Sequence, residues 1–194
     1  MIIGLTGQTG AGKSTVSRFL EQNGIAIVDC DKVAREITEK GSPILSELAK
    51  AFGEDIISAD GSLNRRELAI RAFETPQKTE ALNSITHPAI LSAIKKKIAE
   101  YSDKITVLDA PTLIESGAHM LCDKIVAVIA DESVRKERIL SRDNISQKEA
   151  EKRMSAQKDD SFYAQYADAL ICNNGTETEL MHRAEQVFNE IGVL

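Results

Sequence analysis

The sequence predicts an α/β domain: a parallel sheet of five strands, flanked on both faces by helices. Three observations carry this. Short runs rich in Val, Ile and Leu alternate with helical stretches, a glycine-rich loop follows the first run, and 42% of the 194 residues are hydrophobic, enough for a packed core. The runs are 1–6, 25–28, 104–108, 125–130 and 167–172, each short, largely apolar and rich in Val, Ile or Leu, as in strands buried on both faces. Between them, Val16, Phe19 and Leu20, then Leu91, Ile94 and Ile98, then Leu180, Ala184, Val187, Phe188 and Ile191 mark apolar stripes at a period near 3.6. Ser146 with Glu149 and Thr176 with Glu179 have capping-box spacing, and His87-Pro88 is expected to open a helix with proline in its first turn. Such alternation implies right-handed crossovers.

The segment 58–102 breaks that rhythm. It is helical without a strand, so it is expected to be an insertion in a core formed by 1–57 and 103–194. The net charge of −6 argues against a broad nucleic-acid footprint, which needs clustered Lys and Arg to displace counterions. No apolar stretch approaches the ~20 residues of a membrane span, and the apolar first residues run directly into the glycine-rich loop, so no membrane partner is expected. Cys30, Cys122 and Cys172 are odd in number and lack metal-like spacing; buried structural thiols in a reducing cytoplasm are the expectation.

Gly7-Gln8-Thr9-Gly10-Ala11-Gly12-Lys13-Ser14 satisfies the Walker A pattern G-x-x-x-x-G-K-S/T between an apolar strand and an amphipathic helix. The glycines let the backbone curl so that successive N–H groups, from Gly10 through Ala11, Gly12, Lys13 and Ser14 to Thr15, face phosphate oxygens. The following helix adds the positive end of its dipole. Lys13 is expected to bridge the β- and γ-phosphates of ATP, and the Ser14 hydroxyl to ligate Mg²⁺.

Ligands of open parallel sheets lie beyond the carboxyl ends of the strands. Two ends carry carboxylates there. After 25–28 comes Asp29-Cys30-Asp31, where one aspartate would accept the proton of an attacking hydroxyl while the other binds metal or caps the next helix. After 104–108 comes Asp109, placed as a Walker B carboxylate near Mg²⁺. Arg135, Arg138 and Arg142, spaced i, i+3 and i+7, share a helix face that closes over transferring phosphate or is neutralised by Glu132, Glu137 and Asp143. Asn173-Asn174-Gly175 is a turn whose amides would read an adenine edge or serve only as a turn.

Read in order, Gly4-Leu5-Thr6-Gly7 with the loop, Asp29-Cys30-Asp31, Leu63-Asn64-Arg65, His87-Pro88, the run from Asp109-Ala110-Pro111 to Glu115-Ser116-Gly117, Arg138 to Asp143, Gln157 and Asn173-Asn174-Gly175 resemble the dephospho-CoA kinase family along nearly the whole chain. The resemblance implies a P-loop kinase fold with a helical acceptor region and a small lid at 135–158. It also implies γ-phosphate transfer from ATP to the 3′-hydroxyl of dephospho-CoA, the last step in coenzyme A synthesis. It makes Asp31 the hydroxyl-orienting carboxylate, puts Arg65, His87, Pro111, Leu113 and Glu115 towards the acceptor, Arg138 and Arg142 beside ATP, and Asn174 in the adenine loop. Thr112 and Ile114 stand where the family often has Leu and Phe. Family members differ at the position of Asp109, which leaves Ser14, phosphates and water as alternative Mg²⁺ ligands. The expected partners are ATP and dephospho-CoA, the expected state a monomer or weak homo-oligomer. A different kinase on the same scaffold, or a nucleotide-driven switch, remains the competing reading of the residues alone.

Overall fold

The structure, a computed structural model, describes residues Met1–Leu194. Strands β1 (Ile2–Gly7), β2 (Ala26–Asp29), β3 (Thr106–Asp109), β4 (Lys124–Ile129) and β5 (Ala169–Cys172) form one sheet in the order β2-β3-β1-β4-β5. Pairing is parallel, with Leu5 of β1 opposite Asp109 on one side and Val126 on the other. Every strand lies within two residues of its predicted run. Helices α1 (Lys13–Gln22), α2 (Cys30–Glu36), α3 (Ile44–Phe52), α4 (Arg65–Ala72), α5 (Pro76–Glu100), α6 (Glu132–Asp143), α7 (Gln147–Ser155), α8 (Asp160–Tyr166) and α9 (Glu177–Glu190) complete the chain.

Both faces of the sheet are used, as strands rich in Val, Ile and Leu require. On one face Val126 and Val128 of β4 pack with Ile3 and Leu5 of β1, Val16 and Leu20 of α1, and Leu180, Ala184 and Phe188 of α9. Ala127 and Ile129, which alternate with them, pack on the other face with Ile114 and Tyr163 of α8. Phe188 is wholly buried, and truncating such a side chain to alanine costs about 3–5 kcal/mol. Both predicted capping boxes form: Ser146 Oγ accepts the Glu149 N–H at 3.3 Å while Glu149 Oε2 accepts the Ser146 N–H at 2.9 Å, and Thr176 and Glu179 repeat the exchange.

The chain divides into two compact units, Met1–Val28 with Tyr101–Leu194, and Asp29–Glu100. The helical unit therefore begins at Asp29 and not at 58. Ile44, Leu45, Leu48 and Phe52 of α3 have no strand to cover and bury their apolar stripe with Ile56, Leu68 and Ala72, against Leu82 and Ile85 of α5.

The expected helix start at Pro88 also moves. Pro76 occupies the first turn, with Thr75 Oγ1 accepting the Lys78 N–H at 3.2 Å, and α5 continues through Pro88. An internal proline removes one helical hydrogen bond, which packing of Leu82, Ile85 and Ala89 and burial of Ile94 offset. Of the cysteines, Cys30 is buried, but Cys122 is half-buried and Cys172 exposed, because it ends the edge strand β5 on its outward side. Burial, reinforced by Asp123, pushes the Cys122 thiol up to about 12.

Candidate active site

β1 ends at the buried Gly7, and the chain curls from there into α1. Gly10 and Gly12 have φ of 83° and 104°, values that side chains rarely adopt. Space is closed as well: a Cβ on Gly12 would stand 2.5 Å from Asn173 Nδ2, and one on Gly10 2.8 Å from the Arg135 carbonyl oxygen. The loop is internally braced, with the Ala11 N–H donating to Gln8 O at 3.1 Å and the Thr15 N–H to Gly12 O at 3.0 Å. Ala11 is itself buried in the sheet core. Lys13 and Ser14, in the first helical turn, have no carbonyl four residues back to receive their N–H groups, the usual basis of an anion site at a helix start.

Lys13 Nζ donates to Asp109 Oδ1 at the end of β3, and both side chains are largely buried. The pairing follows from the sheet order, since β1 and β3 are neighbours and the residues beyond their carboxyl ends converge. Thr6 Oγ1 donates to Pro111 O at 3.3 Å and holds the Asp109-Ala110-Pro111 turn against β1. The exposed Ser14 hydroxyl and the Asp109 carboxylate fit Mg²⁺, a hard cation bound through one or two protein oxygens with phosphate and water completing its shell.

A cavity of about 760 Å³ brings Gly10, Gly12, Lys13, Ser14 and Thr15 together with Pro111, Arg138, Arg142 and Asn174. That volume lies within the ~300–1,000 Å³ typical of small-molecule sites.

The arginine face divides its labour. Arg135 is buried, its Nε donating to Ala130 O at 3.0 Å. Arg138 donates to Asn173 O at 2.9 Å and Gly175 O at 2.8 Å, so its guanidinium braces the terminal turn and is not presented bare to phosphate. Arg142 remains exposed and pairs with Asp143 at 2.7 and 3.0 Å. That carboxylate raises the Arg142 pKa, and Arg142, with Arg153 also on Asp143, holds Asp143 below the usual carboxylate range. In the turn, Asn173 is buried and donates from Nδ2 to Ala11 O at 2.7 Å, while the exposed Asn174 accepts the Asp131 N–H at 2.8 Å.

The helical unit carries the other predicted residues. Asp29 Oδ1 accepts the Lys32 N–H at 2.9 Å and is the cap of α2, and Asp31 is exposed in the first turn of that helix. Arg65 opens α4 and donates to Arg35 O at 3.2 Å. It borders a cavity of about 240 Å³ that Leu63, Leu68 and Phe73 also line. His87 is half-buried within α5. Back in the sheet unit, Glu115 is exposed, but Leu113 is fully buried: its Cδ2 would lie 2.5 Å from a Cβ on Gly4. Leu113 packs beneath β1.

Sequence reasoning missed three features. These are the Lys13–Asp109 pair, the Asn173 bond to the loop, and Gln157, whose Oε1 accepts the Thr9 N–H at 2.9 Å and whose Nε2 donates to Thr9 Oγ1 at 2.9 Å. For Gln157 the motif match was the one available signal, and it carried no role.

A phosphate loop on the central strand of a parallel sheet, a lysine and a carboxylate converging on it, and arginines on a neighbouring helix define a P-loop kinase. The family model described as dephospho-CoA kinase matches residues 1–179, and the chain belongs to that family. A Corynebacterium glutamicum protein named dephospho-CoA kinase is 40% identical over 192 residues, covering 97% of this chain and 96% of its own. A solved structure from Thermus thermophilus superposes with a TM-score of 0.87 at 27% identity, covering 99% of this chain and 97% of its own. The dephospho-CoA kinase from Campylobacter jejuni, at 22% identity, shares the fold with a TM-score of 0.65 over 98% of this chain and 96% of its own.

Proposed function

We propose that this chain transfers the γ-phosphate of ATP to the 3′-hydroxyl of the ribose of dephospho-CoA, giving coenzyme A and ADP. The observation that carries the reading is the convergence of the glycine loop, Lys13 and Arg142 on one cavity, with Asp109 bonded to Lys13, in a chain of this family. Transfer is direct and in line, with catalysis supplied by positioning and charge stabilisation. Amides at the start of α1 hold the phosphates. Lys13 exchanges Asp109 for phosphate oxygens, and Arg142 leaves Asp143 to meet charge on the moving phosphoryl group. Arg138 acts through the Asn173-Asn174-Gly175 turn, which Asn174 shapes for adenine.

Asp31 orients the acceptor hydroxyl and accepts its proton, and Arg65, His87, Pro111 and Glu115 bind the rest of dephospho-CoA. Ser14 and Asp109 are the residues that would hold Mg²⁺, which neutralises charge on the β- and γ-phosphates when bound. The lid at 135–158 excludes water and so suppresses ATP hydrolysis. The protein works as a monomer or weak homo-oligomer in the cytoplasm, where ATP is available. A coupled ADP-release assay with and without dephospho-CoA, followed by mass analysis of the product, tests the reading. Acceptor-dependent ADP release and one added phosphate are expected. Stimulation by shikimate or a nucleoside monophosphate in its place would reassign the acceptor, and ADP release indifferent to every small acceptor would point to a switch.

A further inference from the structure

Two successive residues of the phosphate loop are bonded to two successive residues beyond α7. Gln157 makes a two-point contact with Thr9, accepting its N–H and donating to its Oγ1, both at 2.9 Å. One residue earlier in the loop, the buried Gln8 donates from Nε2 to Lys158 O at 3.3 Å. The Gln157 N–H itself donates to Met154 O at 3.1 Å, which makes its backbone continuous with the end of α7. α7 is tied in turn to α6: Ile139, Ala150 and Met154 share one buried cluster, and Lys136 pairs with Glu151 at 2.6 Å. A side chain at the end of this helix pair thus grips the loop that receives the phosphates.

Resting on the kinase reading above, we propose that Gln157 is a positioning residue for phosphoryl transfer, fixing the tip of the phosphate loop to the helix pair that carries Arg142. The physical need is plain. A loop containing Gly7, Gly10 and Gly12 has little intrinsic stiffness, while an in-line reaction loses as much as ~10²-fold in rate for a displacement of ~1 Å. A glutamine amide suits the task because it donates and accepts at once and brings no charge to compete with phosphate. Because its partner is the Thr9 amide, it also takes that N–H out of the set offered to the nucleotide. The γ-phosphate and the guanidinium of Arg142 are then placed by one connected body.

The test compares Gln157→Ala, Thr9→Val, Thr9→Ser and the double variant Thr9→Val/Gln157→Ala with the unmodified chain, in steady-state kinetics and thermal melts. Gln157→Ala should lower kcat about tenfold or more while each KM changes by less than about twofold, the split expected of an interaction that matters in the transition state. Thr9→Ser, which keeps the hydroxyl, should retain kcat. Thr9→Val should lose part of it, and the double variant should be no worse than Gln157→Ala, because the two changes break one contact. The proposal is overturned if Gln157→Ala keeps kcat within about twofold, if the two losses simply add, or if the loss vanishes once kcat is corrected for the folded fraction. Failure of the kinase reading would show separately, as an unmodified chain whose ADP release ignores dephospho-CoA, and would take the proposal with it.

Discussion

The sheet unit and the helical unit of this protein are built to different specifications. In the first, the residues that matter act through backbone geometry: positive φ at Gly10 and Gly12, strand ends that converge, and a helix start aimed at the loop. In the second, Asp29–Glu100, α3, α4 and α5 share an apolar core, and the residues assigned to the acceptor sit exposed or half-buried on helices of ordinary composition. The difference teaches that a phosphate site writes itself into a sequence because few backbones can make it. A surface for one particular acceptor is made of side chains that any helix could carry.

Four substitutions break or sharpen this contrast. The largest effect belongs to Lys13→Ala, which should lower kcat/KM for ATP about 10³-fold, as loss of a preorganised charge at a reacting phosphate does. A nucleotide-binding titration beside the kinetics should show that ATP binding weakens too. Next is Asp31→Asn, expected to lower kcat about 10²-fold or more with ATP affinity nearly unchanged. Near-normal turnover in that variant would remove Asp31 from the chemistry and leave Asp29-Cys30-Asp31 a helix start only. Third, Arg65→Ala should raise the KM for dephospho-CoA about tenfold, the loss of one charge-assisted contact, without moving the KM for ATP. An equal change in both would blur the division of labour.

The smallest effect is on stability, and it belongs to the sheet unit alone. Asp168 accepts the Ile125 N–H at 2.8 Å and pairs with Lys124 at 3.0 Å, which holds its carboxyl below the usual 3.8. A depressed folded-state pKa contributes stability that is present above the unfolded value and lost as pH falls through the folded one. Asp168→Asn should therefore melt earlier than the unmodified chain at neutral pH, with the gap closing below about pH 4. Hydrogen exchange in α3 and α5 should not respond.

How much of this was legible in the sequence varies by the range of the interaction. Both capping boxes were readable because each joins residues three apart, and Asp29 was readable as a possible cap for the same reason. The start of α5 was misread because proline marks a first turn only when nothing else holds the helix together. Here Pro76 offers an equal start, and packing carries the helix past Pro88. The boundary expected at 58 follows the loss of strand pattern, whereas the unit begins at Asp29 and α3 already packs with the later helices. The packing of Leu113 against Gly4 joins residues 109 positions apart and has no local signal.

By itself the sequence determined the five strands, the phosphate loop and the helix caps, because periodicity, glycine content and capping chemistry act over a few residues. The tertiary structure alone decided that Lys13 meets Asp109 across 96 positions and that Gln157 holds Thr9 across 148. It also decided that, of three arginines on one helix face, Arg135 turns inward, Arg138 braces a turn and Arg142 stays exposed. Those outcomes depend on which carbonyls and carboxylates the sheet order brings within hydrogen-bond reach, and no local pattern encodes that distance.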